Sequence, residues 1–207
     1  MNNRQSADDA RRQTVPSPYA PATESSGSLF ARLFLIGPRG SGKSTVARLL
    51  ARELGWDWRD ADEELEKKHG QTIRAIFAAE GEAGFREKEA VLLVELCRLQ
   101  HHVIIATGGG VVLRENNRRM LRETGRVVWL TADIETLWRR MQADDTTAER
   151  RPALSIGGRE EVAEVLRVRE TLYRKCADCI VETTGRSPEA IVAEILRWFD
   201  TLLRAEA

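Results

Sequence analysis

From Leu29 onward, short uninterrupted apolar runs alternate with longer segments whose apolar residues recur at helical spacing. "LFLI" (33–36), "VIIA" (103–106), "VVWL" (127–130) and "IV" (180–181) read as buried strands, with "WDWRD" (56–60) a weaker fifth. Between them, Val46, Leu49, Leu50 and Leu54 share one helical face, closed by Gly55 as a C-terminal cap. Ile73, Ile76 and Phe77 share another face, and Phe85, Leu92, Leu93, Leu96 and Leu99 mark a long helix after Gly84. Asp133 is placed to cap a helix running to about Met141, and 161–173 carries Val162, Val165, Leu166 and Leu172 inward. Ser187 and Pro188 form a cap-plus-first-turn signal for the last helix. Uniformly apolar strands alternating with helices predict an α/β fold, a parallel sheet covered by helices on both faces. Ligands of such sheets bind at the carboxyl ends of the strands.

Residues 1–28 break this pattern. They are polar, contain Pro16, Pro18 and Pro21, and have no periodicity, so a disordered N-terminal leader is expected ahead of one domain at 29–207. The full chain has 207 residues and is 42% hydrophobic, enough for one well-filled core. Lys+Arg and Asp+Glu both number 32, and this balance gives no support for a nucleic-acid footprint or an anionic membrane surface. No run approaches the roughly 18 apolar residues of a membrane span, and no secretory apolar core is present, so a cytoplasmic location is expected. Cys97, Cys176 and Cys179 are too few for a disulfide scaffold. "CADC" lacks a second ligand pair that would complete a zinc site, and a structural role is the stronger reading.

The chemistry begins at "GPRGSGKS", Gly37 to Ser44, which fits G-x-x-x-x-G-K-[ST] between a strand and an amphipathic helix. Glycines let the backbone curl so that several N–H groups, and the helix N-terminus, face phosphate oxygens. Gly40, Ser41, Gly42 and Thr45 belong to this cradle. Lys43 reaches the β- and γ-phosphates, and the Ser44 hydroxyl is positioned to ligate Mg²⁺. The expected ligand is a nucleoside triphosphate.

Candidates for the other half of the reaction are dispersed. Asp60 and Asp62 follow the second strand. If that segment stays extended, alternation puts both carboxylates on one side, one to support Mg²⁺ and one to receive or orient a hydroxyl proton. The acidic-first, basic-last order of "DADEELEKK" suits a helix start equally well. "TGGG", 107–110, directly after a buried strand, predicts either close approach of a ligand to the backbone or a plain tight turn. Arg86 and Arg169 are each able to grip a carboxylate with a planar fork or to sit solvated at the surface. A polar stretch, about 143–158, containing "ERRPAL", reads as a mobile lid whose basic residues close over phosphates, or as an exposed linker.

As an ordered set, "GPRGSGKST", "DAD", "FRE", "TGGG", "RRP" and "RETLY" resemble the shikimate kinase family of P-loop small-molecule kinases, over roughly 30–203. The resemblance implies a three-layer P-loop kinase fold, with five parallel strands and the cradle strand central. It implies transfer of the γ-phosphoryl of ATP to the 3-hydroxyl of shikimate, in chorismate and aromatic amino-acid biosynthesis. By motif, Asp62 would bind the shikimate hydroxyls and orient or deprotonate the attacking one. Arg86 and Arg169 would grip the carboxylate, and Gly108, Gly109 and Gly110 would line the ring. Asp60 would help Ser44 place Mg²⁺, Arg151 would be the lid arginine, and Arg186 and Pro188 would lie near adenine. A monomer acting on ATP and shikimate, with no nucleic-acid or membrane partner, is expected.

Two departures from the family pattern stand out. The lid from Arg140 to Arg151 is longer than the compact family form, leaving Arg140 as the candidate adenine-stacking arginine, and Arg150 competes with Arg151. Two alternatives complete the reading: a P-loop kinase for another hydroxy acid such as gluconate, and a non-catalytic shikimate-binding regulatory module. The presence of Lys43, Ser44, Asp62 and Arg151 together speaks against the second.

Overall fold

The computed structural model describes residues 31–143 and 158–205. Five strands, β1 (Arg32–Ile36), β2 (Asp57–Asp60), β3 (Val103–Ala106), β4 (Arg126–Thr131) and β5 (Cys179–Glu182), form one parallel sheet in the order β2-β3-β1-β4-β5. The expected central position of the cradle strand and the five-strand count both hold. The apolar runs located every strand to within a residue or two.

Seven α-helices are present among the described residues: α1 (Lys43–Leu54), α2 (Ala61–His69), α3 (Ile73–Cys97), α4 (Glu115–Thr124), α5 (Ile134–Gln142), α6 (Arg159–Cys176) and α7 (Pro188–Ala205). Alternation along β1 divides the core. Leu33 and Leu35 face α1 and α7, packing on Leu50 and Ile195, while Phe34 and Ile36 face Phe85, Leu93 and Tyr173 on α3 and α6. The CxxC residues fall on opposite sides of this division: Cys176 lies in the Tyr173 core, and Cys179 packs against the Leu33 core. Burial pushes both thiols up to about 11. No cluster of three potential metal-ligating side chains occurs among the described residues. Both cysteines of "CADC" thus take part in packing, on opposite faces of the sheet.

The expected caps are formed. Gly55 ends α1 in the left-handed conformation, with its N–H bonded to the Ala51 carbonyl. Asp133 accepts from the Thr136 N–H at 2.6 Å, and the Ser187 hydroxyl accepts from the Ala190 N–H at 3.2 Å. One boundary differs. The helix expected to start after Gly84 belongs to a longer span, Ile73–Cys97, broken at Gly81 (φ 67°, ψ −172°), so Gly84 lies inside the second half. A side chain at Gly84 would collide with the Glu80 side chain one turn earlier. Close packing explains that glycine, and the left-handed backbone explains Gly81. Leu99 falls just beyond the helix, and Val165, Leu166 and Leu172 are only partly buried, whereas Tyr173 is fully enclosed.

The strand order brings three loops to one edge. β2, β3 and β1 are neighbours, so the segments leaving their carboxyl ends (Asp60–Asp62, 107–110 and 37–42) emerge side by side. The chain runs from β1 outward to β2 and returns through β3, then continues on the other side with β4 and β5. This reversal opens a crevice at the carboxyl edge.

Candidate active site

A cavity of about 490 Å³ occupies this crevice, lined along one wall by 39–46 of the loop and first turn after β1. Gly37 (φ 141°) runs so close to β4 that a Cβ would strike the Leu130 carbonyl oxygen, and Gly42 (φ 91°) adopts a left-handed turn directly before α1. These two constraints curl the loop around the helix N-terminus, where backbone N–H groups lack intrahelical partners. The Lys43 ammonium lies across the loop, donating to the carbonyls of Gly37 (3.0 Å) and Pro38 (2.8 Å). The cradle expected from the sequence is thus built from one contiguous segment.

Asp60 and Asp62 line the same cavity, but not as an extended pair. Asp60 caps α2, accepting from the N–H groups of Asp62 (2.9 Å) and Glu63 (3.3 Å), and Asp62 sits in the first helical turn. The helix-start reading is therefore correct, and it serves the site as well. With one Asp60 oxygen held by the cap, the other accepts from the Ser44 hydroxyl at 2.5 Å. Burial raises the Asp60 carboxyl above its ordinary range; the Ser44 hydrogen bond opposes this, and the nearby Asp62 charge adds to it. A partly buried carboxylate touching a hydroxyl at the mouth of a phosphate loop is a hard oxygen set that a cation would stabilise. Mg²⁺ commonly takes one or two carboxylates alongside substrate phosphates, and Ser44 with Asp60 fits that pattern.

One glycine of the loop after β3 answers to a neighbour that the sequence does not show. A Cβ on Gly110 would overlap the guanidinium of Arg86, so this glycine makes room for an arginine of α3. Arg86 is almost completely buried over the Phe85 ring and is anchored by Glu89 (2.7 Å) and Glu82 (3.2 Å). Gly109 carries the second link. Its carbonyl accepts from the Tyr173 hydroxyl at 2.5 Å and from Arg169 Nη1 at 3.3 Å, both from α6. Gly108 accepts from the Val111 N–H and borders a narrow cleft with Asp62 and Glu89. The two arginines, 83 positions apart, therefore touch consecutive residues of one loop. Neither lines the main cavity; Gly109, whose carbonyl accepts from Arg169, does.

At the opposite end of the cavity stand Arg140, Arg186, Pro188 and Ile191. Arg140 donates to the Gly40 carbonyl (3.2 Å) and to Thr183 (3.0 and 2.9 Å), tying the phosphate loop to the segment after β5. Arg186 is held by the Glu182 carbonyl (2.9 Å) and by Glu194 (2.7 Å). Arg150 and Arg151, and most of the anticipated lid, fall outside the described residues. Glu82, Glu89 and Arg39 were not singled out by sequence. The signal available for the glutamates was their i−4 and i+3 spacing from Arg86 on one helix.

Known proteins agree with this geometry. The shikimate kinase family model matches residues 39–200. A shikimate kinase of Chromohalobacter salexigens is 46% identical over 166 residues, covering 80% of this chain and 89% of that protein. One from Pseudomonas syringae pv. tomato is also 46% identical, covering 79% and 93%. Among solved structures, a shikimate kinase from Acinetobacter baumannii in complex with shikimate superposes with a TM-score of 0.76 at 37% identity, covering 82% of this chain and 93% of that one. With the phosphate loop, Asp62 and Gly109 lining one crevice, and with relatives this similar over most of its length, the chain belongs to the shikimate kinase family.

Proposed function

We propose that the protein transfers the γ-phosphoryl of ATP to the 3-hydroxyl of shikimate, giving shikimate 3-phosphate and ADP. One observation carries this reading: Gly109 joins the phosphate cradle to a loop flanked by two arginines, while Asp62 shares the cradle's cavity. Phosphoryl transfer asks a protein mainly for alignment and charge, and this arrangement supplies both. Arg86 and Arg169 bind the acid's carboxylate, and Gly108, Gly109 and Gly110 border its ring. Asp62 accepts or orients the proton of the attacking hydroxyl. Gly40, Ser41, Gly42 and Thr45 hold the phosphates, and Lys43 leaves its loop carbonyls for the β- and γ-oxygens. Arg186 flanks the nucleotide base, and Arg151 adds charge from the lid. Ser44 and Asp60 would hold Mg²⁺, which would offset the negative charge of the triphosphate.

The buried Arg86–Glu89 pair supports a fixed guanidinium rather than a searching one. Its orientation is set before the acid arrives, so less conformational freedom is lost on binding. We also assign the protein as a cytoplasmic monomer. Among the described residues, no helix is long and apolar enough to cross a membrane.

The direct test is ADP release from Mg·ATP with shikimate, with gluconate, and with neither. The expected result is release that depends on shikimate and is not supported by gluconate. Release with gluconate alone would transfer the proposal to another acceptor. Shikimate binding without ADP would favour a regulatory module.

A further inference from the structure

Tyr173 has no solvent exposure, and its ring stacks on Trp129 of β4 at 5.6 Å with 21° between planes. A phenylalanine ring would fill that space equally well. A buried hydroxyl is costly unless it is bonded, and this one donates to the Gly109 carbonyl at 2.5 Å. Arg169, one helical turn earlier, donates to the same oxygen at the longer distance of 3.3 Å. Gly109 also abuts the phosphate loop: a Cβ there would stand 3.3 Å from the Gly37 carbonyl oxygen, 3.6 Å from the Arg39 nitrogen and 3.7 Å from the Tyr173 hydroxyl.

We propose that Tyr173 is a positioning residue that frees Arg169 for the acceptor. The inference rests on the reading of Arg169 as a carboxylate ligand. Gly109 is buried, so its carbonyl must keep a hydrogen-bond partner. With the Tyr173 hydroxyl in place, Arg169 releases its long bond and turns to the acid at little cost. Without the hydroxyl, the buried carbonyl depends on Arg169, and shikimate must compete with the protein for that guanidinium. The effect of Tyr173 therefore passes through Arg169.

A double-mutant cycle read by shikimate titration calorimetry tests this. Tyr173→Phe weakens shikimate binding on the order of five- to tenfold while leaving ATP affinity within about twofold. In an Arg169→Ala background, the same substitution changes shikimate affinity by less than about twofold. Equal loss in both backgrounds, or no loss in either, overturns the proposal, because a merely structural role would not depend on Arg169. Wild-type protein that binds ATP but no shikimate overturns the functional reading and this inference with it.

A second measurement needs no change at Tyr173. The chain has two tyrosines, Tyr19 and Tyr173, so fluorotyrosine labelling of a Tyr19→Phe variant leaves one ¹⁹F resonance. Saturating shikimate shifts that resonance as Arg169 leaves the shared carbonyl. A resonance unmoved at saturation contradicts the proposal.

Discussion

The two halves of the crevice are constructed in opposite ways. The phosphate side is backbone: one segment from Gly37 to Ser44, curled by glycines and completed by the start of α1. The proposed acceptor side is side chain: Arg86 from α3, Arg169 and Tyr173 from α6, and Asp62 from α2, around a loop that follows β3. A backbone site needs only local sequence. A side-chain site needs the sheet to assemble first, because its members come from three helices and meet only through the strand order. Changes on the first side should affect chemistry with any acceptor, and changes on the second should affect the acid alone.

The largest effects are expected where the halves meet. Lys43→Ala and Asp62→Asn should each lower kcat on the order of 10³-fold, seen in a coupled ADP assay at saturating substrates. Ordinary turnover in Asp62→Asn would remove that residue from the proton's path. Glu89→Ala comes next. It strips a buried arginine of its partner and should destabilise the fold by about 3–5 kcal/mol, read by urea unfolding. An unchanged midpoint would mean that Arg86 does not depend on this pair. Gly110→Ala places a methyl group where the Arg86 guanidinium lies, and should raise KM for shikimate roughly tenfold while leaving KM for ATP within about twofold. Equal effects on both substrates would erase the distinction between the halves. The smallest functional effect is expected at the cysteines. With the Cys179 thiol pushed up to about 11, its alkylation at pH 8 should be on the order of 100-fold slower than in the unfolded chain. The rate should climb about tenfold per pH unit toward pH 10, as the thiolate appears.

The same contrast explains what the sequence reveals. The strands and most helices are legible because burial on both faces leaves unbroken apolar runs, and because Gly55, Asp133 and Ser187 mark helix ends by their own chemistry. The phosphate cradle is legible because it is contiguous. Asp60 is only half legible: the helix-start order is readable in sequence, whereas the bond of its second oxygen to Ser44, 16 positions earlier, appears only once the sheet is assembled. The reason for Gly110 is hidden, since the atom it avoids belongs to a residue 24 positions away. Glu89 is hidden because a glutamate on a helix is ordinarily a surface residue, and only the fold buries it. The acceptor arginines became identifiable as a set through family resemblance, not through spacing.

The central claim is that Arg86 and Arg169 act on one anion beside the triphosphate. Shikimate titration calorimetry on Arg86→Ala and on Arg169→Ala, each paired with an ATP titration, tests it most directly. The account predicts that each substitution weakens shikimate binding by at least about tenfold and leaves ATP affinity within about twofold. Either variant binding shikimate with wild-type affinity would contradict it.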